Sequence, residues 1–212
     1  MSNKTLVAFL LDETGSMGIC RDSTIEGFNE YIRGLREDKD SKYRFTLVKF
    51  DSQRGMTTVH SNAKIKNVPL LSSETYIPGG GTPLYDSIGH IVDDTEKSAH
   101  DRKVIVVIMT DGEENASREW DRKRISDLIE KKQSNGWAFM FLGANQDAWQ
   151  SAGSIGIPMA SAASYSQGDE VGTLRMAAFA TTVYSKGSVA ADDVLSRYTA
   201  ADGTLKTDDP AS

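Results

Sequence analysis

Short unbroken apolar runs alternate along this chain with stretches whose apolar positions recur every three or four residues. Leu6-Val7-Ala8-Phe9-Leu10-Leu11 and Val104-Ile105-Val106-Val107-Ile108-Met109 are apolar on both faces and bounded by polar residues, which is how strands covered on both sides of a parallel sheet read. Phe45, Leu47, Val48 and Phe50 mark a further strand, and the weaker alternation from Thr57 to Ile65, beyond a Gly55 turn, predicts an antiparallel edge. Ala138 to Leu142 predicts another strand and Ile155 to Met159 a short last one. Ser23 and Glu26 form a capping box ahead of Ile25, Phe28, Ile32 and Leu35, so a helix is expected to end near Arg36. Thr82 as N-cap and Pro83 as first helical residue open a second helix to about Ala99, with Leu84, Ile88, Ile91 and Val92 inward. Ile125, Leu128 and Ile129 stripe a third, Leu174 to Tyr184 predicts a fourth, and Val189 to Tyr198 a fifth.

Strands alternating with helices at this spacing predict an α/β fold: a Rossmann-like, doubly wound, mostly parallel central sheet with one antiparallel edge strand and helices on both faces. A single domain over 1–200 accounts for the pattern, with a motif-bearing core of about 5–159, a C-terminal helical segment of about 169–200 and a polar, frayed tail over 201–212. Charge then narrows the partners: 24 Lys and Arg against 30 Asp and Glu give a net charge of −6, the wrong sign for neutralising nucleic-acid phosphates. The single cysteine, Cys20, forms no intramolecular disulfide and suits a reducing compartment. Asp12 stops the first apolar run well short of a signal peptide or of the roughly 20 residues of a membrane span. A soluble cytoplasmic protein with no membrane partner is expected, and Asn115-Ala116-Ser117, a formal glycosylation acceptor, then has no consequence. The sequence leaves the oligomeric state open.

Candidate chemistry sits in three segments that follow buried strands or precede a helix: Asp12-Glu13-Thr14-Gly15-Ser16, Gly81-Thr82-Pro83 and Thr110-Asp111-Gly112. In a doubly wound sheet such segments meet at the carboxyl edge, near the topological switch point. Carboxylates and hydroxyls without His or Cys form a hard oxygen set, which suits Mg²⁺ first, with Mn²⁺ or Ca²⁺ as alternatives, and disfavours zinc or copper. The spacing Asp-x-Thr-x-Ser lets a returning loop bring residues i, i+2 and i+4 toward one point while Glu13 points elsewhere and Gly15 eases the turn. Two carboxylates with three neutral hydroxyls would leave a divalent ion under-neutralised and attractive to an incoming carboxylate. Singly, Thr82 reads as a cap and Asp12 or Asp111-Gly112 as turn residues; their joint order favours a metal.

Other fragments carry less. Gly79-Gly80-Gly81 lacks the Lys-Ser/Thr of a phosphate loop and reads as flexible access to Thr82. His60, His90 and His100 are scattered without nucleophile partners, and no catalytic triad is visible. Cys20 reads as a small buried residue, Glu113-Glu114 as a solvated acidic loop, and Trp120, Trp137 and Trp149 as core or rim.

At these oxygen-bearing residues the sequence resembles the von Willebrand factor A (vWA) family and its metal-ion-dependent adhesion site. The family pattern is Asp-x-Ser-x-Ser, then a Thr in a Gly-rich loop, then an Asp closing a buried strand; Asp12, Thr14, Ser16, Thr82 and Asp111 fill those places in order. Asp-Glu-Thr-Gly-Ser-Met, Gly-Gly-Thr-Pro-Leu-Tyr-Asp and Met-Thr-Asp-Gly-Glu-Glu look like its bacterial and bacteriophage branch. Thr14 in place of the first Ser keeps the hydroxyl and stiffens χ1. The resemblance covers about Thr5 to Leu142. It implies Asp12 beneath the ion, Ser16 bound directly, Thr14 and Thr82 bound directly or through water, and Asp111 acting through a bridging water. It also implies a non-enzymatic interaction module, a protein partner whose Asp or Glu completes the sphere, and in some members a coupling to movement of the last helix. Two rivals stand beside it. A Mg²⁺-dependent phosphoester hydrolase would need a second acid where Thr14 stands and a partner Lys, and a structural or assembly component would keep only a vestigial site.

Overall fold

The computed structural model describes residues 3–144 and 148–200 together with 204 and 206. Its elements, in chain order, are β1 (Lys4–Asp12), α1 (Arg21–Glu37), β2 (Lys42–Asp51), β3 (Gly55–Lys64), α2 (Leu84–Glu96), β4 (Lys103–Thr110), α3 (Arg122–Ser134), β5 (Ala138–Ala144), α4 (Ala148–Ser154), β6 (Ala162–Tyr165) and α5 (Glu170–Lys186). The sheet runs β3-β2-β1-β4-β5-β6. Every neighbouring pair is parallel except β2 and β3, so the antiparallel strand is the expected edge.

This order puts the switch point between β1 and β4, because the chain winds outward from β1 through β2 to one edge and from β4 through β5 to the other. Strands β1 and β4 are buried at all but their first residues, so their apolar runs are dictated by cover on both faces. On one face Phe9 meets Phe28, Tyr31 and Phe45 at centroid distances of 5.4, 5.1 and 6.2 Å, within the layer that α1 and α5 complete. Leu10 and Ile108 face the other way, into a layer with Ile88, Ile125 and Ile129 of α2 and α3. Two packed layers thus hold the carboxyl ends of β1 and β4 side by side.

Several boundaries differ from the sequence expectation, each for a local reason. Helix α1 starts at Arg21 with Cys20 as its N-cap, and the Ser23 hydroxyl donates to the Cys20 carbonyl at 2.9 Å. The Ser23–Glu26 capping box is therefore not used; a 3₁₀ turn over Gly15–Gly18 feeds the chain into the helix three residues early. Helix α2 ends at Glu96 rather than near Ala99. The last strand is Ala162–Tyr165, not Ile155 to Met159. Ile155 and Ile157 are buried as the close of α4, both backbone N–H groups donating to the Ala152 carbonyl.

Helix α5 stops at Lys186, where Gly187 takes the left-handed backbone (φ 79°) that closes helices most readily with glycine. Val189 to Tyr198 then forms turns rather than a helix. Val194 and Leu195 are nevertheless buried, and Leu195 N–H donates to the Ala160 carbonyl at 2.8 Å. Of the tail expected to fray, Thr204 bridges Ser164 in parallel and Lys206 N–H donates to the Tyr198 carbonyl; the rest of 201–212 lies outside the described residues. Among the described residues no helix is long and apolar enough to cross a membrane.

Candidate metal centre

The switch point gathers all five oxygen-bearing residues at one edge. Asp12 closes β1 fully buried, with one carboxylate oxygen accepting from Thr14 N–H at 2.7 Å and the other from the Thr110 hydroxyl at 2.6 Å. The chain then doubles back, so Thr14 Oγ1 lies 3.3 Å from Ser16 Oγ, and Ser16 donates to Asp111 Oδ1 at 2.7 Å. Thr82 joins them through Gly112: a Cβ built on that glycine would lie 2.9 Å from Thr82 Oγ1, so only glycine lets the Thr82 hydroxyl approach the residue next to Asp111. Thr14, Ser16 and Asp111 form one hydrogen-bonded row, Asp12 lies under it through Thr14, and Thr82 approaches beside Asp111. Glu13 points away, as the i, i+2, i+4 spacing requires.

The electrostatics of this pair are unfavourable without a cation. Burial pushes the Asp12 carboxyl up to about 6, against the hydrogen bonds from Thr110 and Thr14, and the nearby charge of Asp111 adds to the rise. Burial likewise raises Asp111. Its Oδ2 is buried and makes no hydrogen bond, a position that costs free energy unless something electropositive fills it. Among the described residues no three His, Cys, Asp or Glu side chains are placed to hold a metal. Any ion here would rest on two carboxylates and three hydroxyls, a set that suits a hard cation.

The Gly79–Gly81 loop is stapled, not loose. Gly15 N–H donates to the Gly80 carbonyl at 3.0 Å, Ser52 N–H to the Gly81 carbonyl at 2.9 Å, and Gly81 N–H to Ser52 Oγ at 2.7 Å. Thr82 is not the cap of α2 either, since the helix begins at Leu84 with Pro83 at the N-cap position and no side-chain cap; the Thr82 N–H and carbonyl are held by Asn115, at 2.8 and 3.1 Å. The first helical N–H groups are satisfied from the loop after β4, Tyr85 by Glu114 at 2.9 Å and Asp86 by Ser117 Oγ at 3.1 Å. Asp86 in turn accepts from the backbones of Arg118, Glu119 and Trp120.

Glu114 is thus a clamp and not part of a solvated acidic loop, since its carboxylate also accepts from Ala116 N–H, Ser117 N–H and the Ser117 hydroxyl. The Asn115-Ala116-Ser117 triplet is used up in the same clamp. Glu114→Ala is expected to lower the unfolding free energy by about 1–3 kcal/mol, with Glu114→Gln, which keeps an acceptor, losing less. A urea titration showing no loss for Glu114→Ala would return this loop to the solvated reading.

Of the residues without an assigned role in the sequence, Thr110, Glu13 and Glu170 matter most. Thr110 orients Asp12, and its signal was a hydroxyl residue ending a buried strand. Glu170, fully buried in the first turn of α5, accepts from Gly168 N–H at 3.0 Å and contributes to the rise at Asp111. Cys20 is buried and free, with burial pushing its thiol up to about 11, so no reactive thiolate stands beside the site. Trp137 is buried beneath Lys132, while Trp120 and Trp149 are partly buried against the α2–α3 layer, all consistent with core or rim.

The family model of the von Willebrand factor type A domain matches residues 7–175, and the chain belongs to that family. Domains of this class are protein-interaction modules and generally not enzymes. Comparison with curated proteins gives no match. Among solved structures, the chain is similar to proximal thread matrix protein 1 of the mussel byssus, at 16% identity and a TM-score of 0.60, over 84% of this chain and 47% of that one. The same mussel protein with a zinc-occupied MIDAS motif gives 16% and 0.60, over 86% and 48%. The manganese-loaded TRAP protein of Plasmodium vivax gives 15% and 0.52, over 82% and 75%. The chain spans about half the length of the mussel protein, and at these identities the likeness is one of fold.

Proposed function

We propose that Asp12, Thr14, Ser16, Thr82 and Asp111 hold a divalent cation, Mg²⁺ first, and that residues 1–200 form one non-enzymatic module that takes an Asp or Glu of a protein partner onto that ion. The orphaned, buried Asp111 Oδ2 beside a second uncompensated carboxylate carries the reading. The zinc-occupied MIDAS motif of the mussel neighbour and the manganese loading of the Plasmodium neighbour support it. Asp12, Ser16 and Asp111 would supply the anchoring oxygens, with Thr14 and Thr82 completing the protein's share. The cation would supply the positive charge that a partner's carboxylate recognises. Lys49, on the strand beside β1, is committed to Glu13 at 2.7 Å and to the Thr75 carbonyl, so it does not serve as the lysine a phosphoester hydrolase would need. The buried free thiol of Cys20 fits action in a reducing, cytoplasmic setting, and the motif wording fits the family's bacterial and phage branch.

Isothermal titration of metal-stripped protein with Mg²⁺ and Mn²⁺ tests the site. Saturable one-site binding is expected, lost in Asp12→Ala/Asp111→Ala protein whose circular dichroism is unchanged. Equal heats from the wild type and the double variant would overturn the assignment.

A further inference from the structure

We propose that the groove beside the metal-site loop takes a bulky aliphatic side chain, so that the partner is a protein segment carrying one acidic residue with Leu, Ile, Val or Met close beside it. This rests on the cation reading above and adds the partner's second determinant.

Ile19 and Ile77 are the most exposed large apolar residues of the metal edge, at 81% and 53%. Both line one groove of about 480 Å³ walled by Gly18–Ser23 on one side and Ile77–Pro78 on the other. The groove begins where the metal loop ends: Ile19 N–H donates to the carbonyl of Ser16 at 3.2 Å, one of the five oxygen-bearing residues. Its other wall lies alongside the same loop, through Gly79 N–H to the Glu13 carbonyl at 2.9 Å and Gly15 N–H to the Gly80 carbonyl at 3.0 Å. A segment that reached the ion would therefore lie against this groove.

The exposed apolar wall is also held in place. Ile77 N–H donates to Glu13 Oε1 at 2.7 Å, Lys49 holds the Thr75 carbonyl at 2.6 Å, and Arg54 holds the Ile77 carbonyl. Keeping an isoleucine half in water on a backbone fixed by a buried ion pair means that a partner meets a preorganised surface, without the ordering cost of a loose loop. Charge selects the partner further. The two charged residues of the groove, Arg21 and Asp22, bind each other at 3.0 Å, and the neighbouring Arg54 is paired with Asp51 at 2.8 Å, so the lining carries no net positive charge to draw a second acid. One carboxylate with an aliphatic neighbour fits this surface, whereas a run of acids does not.

The test uses fluorescent Gly-Ser peptides that carry one Asp, with Leu placed in turn at each of the nearest positions on either side, against the same peptides with Ser there. Anisotropy is read in Mg²⁺ and in EDTA. At least one Leu peptide is expected to bind about tenfold tighter than its Ser counterpart, as burial of one aliphatic side chain provides, and only with Mg²⁺. The gain should vanish in Ile19→Ser/Ile77→Ser protein whose Mg²⁺ calorimetry is unchanged; Ile19→Ser alone, at the more exposed position, covers the case in which the loop responds to the Ile77 change. Equal binding of Leu and Ser peptides, a gain that survives the variants, or no peptide binding by protein that takes up the ion would overturn this inference while leaving the metal site standing. Protein that takes up no ion would overturn both, and calorimetry tells the two failures apart.

Discussion

Without metal, Asp12→Asn protein is expected to be more stable than the wild type at pH 7.5, by about 1–3 kcal/mol, and to lose the response to Mg²⁺. The sign follows from the raised carboxyl. Asp12 titrates near 6 in the folded chain against 3.8 as a free side chain, so between those values the folded state binds more protons than the unfolded state. Stability contributed by the protonated form is present below about pH 4 and lost as pH rises through 6. Asparagine removes that loss. Its carbonyl oxygen can still accept from Thr14 N–H, its amide can donate to Thr110 Oγ1, and the Thr110 hydroxyl can turn to the Gly112 carbonyl, 3.1 Å away. In the wild type a cation offsets the same buried charge, and at a hundredfold excess over its dissociation constant it adds about 2.7 kcal/mol, or roughly 5–10 °C in Tm for a chain of this size. Urea and thermal unfolding in EDTA and in Mg²⁺ check both halves. Coincident curves for wild type and Asp12→Asn at pH 7.5, with no shift on adding Mg²⁺, would remove the electrostatic basis of the site.

What was legible in the sequence was whatever is decided within a few residues. Strands β1 and β4 could be read because cover on both faces demands unbroken apolar runs, and β3 because an edge strand alternates. Asp12, Thr14 and Ser16 could be read from spacing alone, since the turn that follows a central strand converges every second side chain. The failures have more than one cause. Ser23 and Thr82 have good cap chemistry, but the helix starts are fixed elsewhere, by the 3₁₀ turn after Thr14 and by Glu114 and Ser117 reaching across to α2. Strand β6 is built from Ala162-Ala163-Ser164-Tyr165, too small and mixed to contrast with its surroundings, so the bulkier Ile155 to Met159 attracted the assignment. The glycine loop looked free because glycines carry no visible partner, whereas its hydrogen bonds run through the backbone to Gly15 and Ser52. The hold of Thr110 on Asp12 and of Glu114 on α2 shows only once the sheet order places β4 beside β1.

Glu13→Ala is expected to be the opposite of Asp12→Asn, although the two residues are adjacent. Glu13 leaves the metal edge and is buried with Lys49, whose ammonium it meets at 2.7 Å, while the same oxygen accepts from Ile77 N–H. Arg54 stands 3.9 Å from the other oxygen, itself bound to Asp51 at 2.8 Å. Truncation leaves a nearly buried lysine with only the Thr75 carbonyl and an amide with no acceptor, so a loss of about 3–5 kcal/mol is expected, as for other buried pairs deprived of one member. Glu13→Gln should fall between, because it keeps an acceptor for Ile77 but not the charge. Glu13→Leu/Lys49→Met, which removes both charges and keeps the volume, should recover much of the loss. Ion affinity is the second readout. Measured at a temperature where Glu13→Ala is folded, it should remain within about tenfold of the wild type, since Glu13 gives the ion nothing directly and acts only by holding the strap from Thr75 to Gly81. If Glu13→Ala unfolds at the wild-type urea concentration, the ion pair does not hold that strap; if it abolishes ion binding while remaining folded, the division between these neighbouring carboxylates is wrong.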